Sequence, residues 1–211
     1  MVLFASTTQI TGEEWYRFPD GHGYRVNDAY EIVARMHYLN PTDETATVSP
    51  VYEWFTIDEA KLEHELGPFV WMYQGFEIPP RAELKVTADC YLPNDHPTHI
   101  VTALPHMHRL GRGLEATYLG GPFAGERFLD SRGYAPDEGV LVQYEPAVDL
   151  TEADGLTFSC TWQNTFDRPI VEGDGDNEMC MVFGYAWPFD KAYSAIASPG
   201  NCLLLATPPP S

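Results

Sequence analysis

Basic residues are scarce in this chain of 211 residues: 12 Lys and Arg stand against 31 Asp and Glu, a formal charge of −19. A phosphate backbone or an anionic lipid face would repel such a surface, which excludes nucleic acid and the membrane surface as partners. The charge itself implies solubility and nothing more specific. Long apolar runs are missing too, and none approaches the roughly 20 residues of a membrane-spanning helix. Residues 1–10 have neither a basic region nor a long apolar stretch, so they are not a signal peptide. The chain is therefore expected either to have lost such a leader or to be cut from a longer protein. Helical periodicity is nearly absent, with residues 57–66 the one short exception. Cysteine is sparse: Cys90, Cys160, Cys180 and Cys202, none in a C-x-x-C zinc or redox spacing. An even number points to two disulfides in an oxidising compartment, with three pairings open.

Turn formers, by contrast, are plentiful. Gly (17) and Pro (18) are spread along the sequence, a pattern that suits short strands joined by turns. Period-two alternation recurs between them. Leu84, Val86, Ala88 and Cys90 share one face of a strand, as do Leu156, Phe158, Cys160 and Trp162. Segments 30–38, 51–57, 99–108, 114–119, 140–144 and 179–187 also have strand character. The expected fold is all-β, an antiparallel β-sandwich wound as a jelly roll. Residues 1–22 are expected to form an edge or the remnant of an upstream domain, 23–204 the sandwich, and 205–211, ending in Pro-Pro-Pro-Ser, a disordered tail.

His106-Met107-His108 is the sharpest local feature. Residues two apart on a strand project to the same face, so two imidazoles would converge on one point. Imidazole suits copper and zinc. Taken alone, an H-x-H pair also occurs on surfaces and in cores. Met179 follows 71 residues after His108. A thioether is a soft ligand that selects copper, especially the cuprous state, although a strand methionine is also ordinary core filler.

Several motifs occur together in one order: Met36 to Pro41 (MHYLNP), Ile78 to Arg81 (IPPR) followed by Cys90, His106 to Gly111 (HMHRLG), Cys160 to Asn164 (CTWQN), Asn177 to Cys180 (NEMC), and then Cys202. In this order and spacing, from about residue 23 to 202, the chain resembles the second catalytic half of the copper type II ascorbate-dependent monooxygenases, the peptidylglycine α-hydroxylating and dopamine β-hydroxylating enzymes. The resemblance implies one copper ion on His106, His108 and Met179, where dioxygen is used to hydroxylate an organic substrate. It also implies pairing of Cys160 with Cys180 and of Cys90 with Cys202, an extracytoplasmic (periplasmic or secreted) location, and an external reductant such as ascorbate. If the strand is regular, Cys180 and Met179 point to opposite faces, disulfide inward and sulfur ligand outward.

Two features depart from that family. Its electron-transfer copper uses an adjacent His-His pair and one histidine of the joining segment. His37 occupies the joining position, but no His-His dipeptide occurs in this sequence, so His37 is a remnant ligand, half of a site completed elsewhere, or a structural histidine. The peptide-processing members also grip a terminal carboxylate with residues whose positions here hold Leu104, Met181 and Phe183. A buried carboxylate would find no partner among them. The expected substrate is therefore a small uncharged or aromatic molecule, and an upstream domain or electron donor is the expected partner. His22, His64, His96 and His99 are expected to be solvated. Asp174, Asp176 and Glu178 resemble a calcium loop only faintly and are expected to form a turn. Three functions remain at this level: an oxygen-activating copper domain, a non-catalytic copper module for storage, delivery or assembly, and a structural sandwich with a vestigial site.

Overall fold

The computed structural model describes residues 15–26, 31–34, 40, 42–134 and 141–206. In chain order the strands are β1 (His22–Gly23), β2 (His64–Glu65), β3 (Gly67–Tyr73), β4 (Glu77–Ile78), β5 (Glu83–Tyr91), β6 (His99–His106) and β7 (Gly111–Leu119). They continue as β8 (Arg127–Asp130), β9 (Val142–Asp149), β10 (Gly155–Gln163), β11 (Ile170–Val171), β12 (Met181–Trp187), β13 (Tyr193–Ser198) and β14 (Asn201–Ala206). A six-stranded sheet runs β14-β13-β3-β12-β6-β9 and a four-stranded sheet β5-β10-β7-β8. The expected two-sheet sandwich is present, its connectivity given by these strand orders rather than by a jelly-roll label. Two pairs depart from the antiparallel expectation: β13 runs parallel to β3, and β1 to β2.

The alternation seen in the sequence decides which side chains fill the space between the sheets. Val86, Ala88 and Cys90 of β5 and Leu156, Phe158, Cys160 and Trp162 of β10 face inward, with Leu84 packed against them. Phe69, Trp71 and Tyr73 of β3 and Val182 and Ala186 of β12 meet them from the six-stranded sheet. The opposite phase of β12 faces outward: Met181 and Phe183 are half-buried there. Gly184 permits the close approach of β12 to its neighbours, because a Cβ at that position would lie 2.3 Å from both the Phe69 ring and the Thr102 carbonyl oxygen.

Both disulfides cross between the sheets. Cys90 of β5 is joined to Cys202 of β14, and Cys160 of β10 to Cys180, which immediately precedes β12. The pairing is the one that the resemblance implied. Cys180 is buried in the core while Met179 is half-exposed, so the two do point to different environments.

Other expectations need correction. The helical pattern over 57–66 yields only a single 3-10 turn, Glu59–Lys61, capped by the Asp58 side chain. Beyond it, His64 and Glu65 pair with His22 and Gly23 instead. Residues 51–57 alternate as a strand would but lie exposed, and among the described residues they pair with no strand. The strand expected over 30–38 falls mostly outside the described residues, and 31–34 are not in a strand. β14 runs to Ala206, two residues into the expected tail. His96 is buried rather than solvated, and His64 and His99 stack on the Trp187 ring. Tyr16 and Phe18 of the N-terminal segment pack against Tyr185, so that segment covers part of the outer sheet face.

The loops closed by the disulfides span 112 and 20 residues. In the chain-entropy model, opening them costs about 5 and about 3 kcal/mol respectively. Urea unfolding of Cys90→Ala/Cys202→Ala and Cys160→Ala/Cys180→Ala is therefore expected to show the larger loss in the first variant. The reverse order would mean that something other than loop closure governs what the disulfides contribute.

Candidate metal centre

His106 is the last residue of β6, and the chain turns sharply after it. Gly111 donates its amide to the His108 carbonyl at 3.0 Å, closing the turn. A Cβ on Gly111 would lie 2.8 Å from Met107 Cβ, so a side chain there would push the turn open. Met107 is fully buried, and the Tyr134 hydroxyl both accepts from its amide and donates to its carbonyl, each at 3.0 Å. Histidines 106 and 108 thus emerge from a turn clamped at its centre and at its base.

The two imidazoles lie edge to face with ring centres 5.4 Å apart. Two rings on one ion, at N–metal distances of about 2.0–2.1 Å, have centres no more than roughly 6.5 Å apart. The pair meets that limit. His106 is only 7 % exposed, and its Nδ1 is buried with no hydrogen-bond partner. Burial, with a smaller contribution from neighbouring His108, pushes its pKa down to about 4. The ring is therefore neutral at physiological pH, as a metal ligand must be. His108 Nδ1 lies 2.7 Å from the Asn177 carbonyl oxygen. That bond orients the ring and leaves Nε2 free, the usual arrangement behind a ligating histidine.

A residue that the sequence places only in a loop turn organises this one. Glu178 is fully buried, and every donor on it comes from the site. Its Oε2 accepts from the His108 amide at 2.9 Å and from Trp162 Nε1 at 3.0 Å, and its Oε1 accepts from the Leu110 amide at 2.7 Å. These bonds help explain why β6 stops at His106: the Met107 amide goes to the Tyr134 hydroxyl and those of His108 and Leu110 to the Glu178 carboxylate, instead of to a neighbouring strand. Burial raises the Glu178 pKa, and the donors pull against that rise. The weak calcium likeness of 174–178 is replaced by this role. Asp176 instead pairs with Arg109 at 3.2 Å, outside the turn. A signal was present in the alternation: Glu178, Cys180 and Val182 fall in one phase, and the last two of these are core positions.

Met179 follows Glu178 directly but precedes the regular strand, since β12 begins only at Met181. It lies on the wall of a depression of about 280 Å³ lined by Met72, Tyr73, Glu172, Gly173, Asp174, Cys180 and Met181 as well. Met181 is the direct cross-strand neighbour of His106, and Phe183 of Leu104. The structure thus brings His106 and His108 together and sets the Met179 arm against their turn through Asn177 and Glu178. Leu104 is buried, whereas Met181 and Phe183 are half-buried, the Phe183 ring 6.2 Å from that of His106. His37 lies outside the described residues. Among the described residues no group of three or more His, Cys, Asp and Glu side chains is set to hold a metal.

Residues 68–198 match the family model of the copper type II ascorbate-dependent monooxygenase, C-terminal domain. The match spans more than half the chain. This chain belongs to the copper type II ascorbate-dependent monooxygenase family. A search of curated proteins returned no match. The matched residues run from β3 to the end of β13, taking in both sheets, the H-x-H turn and the Cys160–Cys180 disulfide. For this family the donor set is chemically apt: an unpartnered buried imidazole nitrogen, a second imidazole oriented by a carbonyl, and the Met181 thioether on the residue paired with His106.

Glu178→Gln keeps the shape of the side chain but turns an NH2 toward backbone donors. It is expected to destabilise the protein by about 2–4 kcal/mol in urea unfolding. It is also expected to weaken copper binding by at least about 10-fold, as loss of a supporting hydrogen bond does at other metal sites. A variant with unchanged stability would show that the carboxylate is not the clamp.

Proposed function

We propose that this domain holds one copper ion on His106, His108 and Met179 and hydroxylates a small organic substrate with dioxygen. The electrons come from a soluble reductant such as ascorbate, or from a partner or upstream domain. The observation that supports it best is the convergence of the two imidazoles, one of them buried with an unpartnered nitrogen, inside a domain of this family. Copper bound there would supply the redox chemistry, which no side chain of the protein can.

The protein's own part is placement. Glu178 and Asn177 hold the His108 backbone and ring, and the strand end fixes His106. Next to the imidazoles, half-buried Met181 and Phe183, with buried Leu104 paired to Phe183, are apolar, and a carboxylate would find no partner among them. The substrate is therefore uncharged or aromatic. The two disulfides suit an extracytoplasmic compartment, periplasmic or secreted. No helix of the described residues is long and apolar enough to cross a membrane.

A second reading has its own support. No His-His dipeptide occurs in the chain, so the family's electron-transfer copper has no full ligand set here, and a copper-binding module without turnover would need none.

Competition with a chromophoric cuprous chelator tests the site itself. His106→Ala and Met179→Leu are each expected to weaken cuprous binding by about 10-fold or more, with unfolding midpoints near wild type. Reductant-dependent oxygen consumption with uncharged aromatic substrates then separates the two readings. Copper binding without oxygen consumption selects the module. A wild-type protein that stays metal-free in excess cuprous ion defeats both.

A further inference from the structure

The chain has six methionines, and three of them, Met72, Met179 and Met181, line a single depression beside the imidazole pair. Methionine normally fills gaps in a core, as fully buried Met107 does here. These three are half-buried, on the outer face of the six-stranded sheet. Met181 stands opposite Met72 on one side and opposite His106 on the other. Directly opposed residues in an antiparallel pair keep their Cβ atoms about 4.5–5.5 Å apart and share a face. A row of soft donors therefore runs across three strands, from an imidazole to two thioethers, with Met179 entering from the loop.

The geometry points to a second metal position: an all-thioether site on Met72, Met179 and Met181 for a soft monovalent cation, cuprous copper or silver. Thioethers are neutral and bind such ions in preference to hard divalent ones. Glu172 and Asp174 line the same depression and supply countercharge without being soft ligands. Gln74 Nε2 donates to Met72 Sδ at 3.2 Å and orients that sulfur. The site shares Met179 with the imidazole centre but does not need the imidazoles; only its role as a loading position rests on the function proposed above. Because one sulfur serves both positions, an ion on the thioethers lies one ligand exchange away from the histidines. The thioether site is thus a loading position for the centre.

The test uses silver(I), a redox-silent stand-in for cuprous ion, and the full chain labelled with 13C at the methionine methyls. In His106→Ala/His108→Ala, one equivalent of silver is expected to shift the methyl signals of Met72, Met179 and Met181 together and saturably. Adding Met72→Leu and Met181→Leu, which conserve volume, should weaken that binding by at least about 10-fold without changing the melting temperature. Binding that vanishes with the imidazoles alone, or shifts confined to Met179, overturns the thioether site and leaves the His106–His108–Met179 reading standing. A wild-type protein that takes one silver ion on the thioethers and no second ion on His106 and His108 does the opposite.

Discussion

A carboxylate taken out of water is costly unless donors replace the water it loses. Glu178 meets that condition by collecting the amides of His108 and Leu110 and the indole N–H of Trp162. The arrangement joins three parts of the chain: the turn after β6, the loop before β12, and the core tryptophan of β10. Both arms of the candidate centre depend on it. His108 is held by its amide, and Met179 is the residue after the carboxylate. Trp162 is itself fixed by a stacked Phe76 ring 4.4 Å away and by full burial, so the turn is referenced to the hydrophobic core rather than to a surface loop.

The same stretch is tied covalently. Cys180 is bonded to Cys160, two residues before Trp162 on β10. Residues 178–180 therefore carry, in succession, a buried ionic clamp, an outward soft side chain and a cross-sheet disulfide. The alternation of β12 already runs through these residues, just before the regular strand: one phase goes to the interior and fixes position, and the other, with Met179, is partly exposed. β12 continues the pattern, with Val182 and Ala186 in the core and Met181 and Phe183 outside.

Charge and donor chemistry act on different scales. The strongly acidic surface attracts cations of any kind over a distance of about one Debye length. In the proposed site, selection would happen at contact, where neutral imidazole and sulfur favour a soft ion and offer little to calcium or magnesium. Burial contributes by keeping His106 unprotonated, so protons do not compete for it at ordinary pH.

Strand periodicity was fully legible in β5 and β10, because period-two alternation of apolar residues follows from the pleat alone and the pleat was present. The H-x-H pair and the cysteine pairing were also legible, the latter through the order of motifs rather than through spacing. Residues 51–57 show the limit of such patterns: alternation states which face would be buried but not whether a partner strand exists. Likewise 57–66 lost its helix to pairing of His64 and Glu65 with His22 and Gly23, a contact distant in sequence. Where β6 ends, what holds His108, and which sulfurs gather beside His106 were decided by tertiary structure alone. Each depends on side chains some 70 or more residues apart meeting across two strands, and only the register of the sheet, set by every strand at once, determines which residues meet.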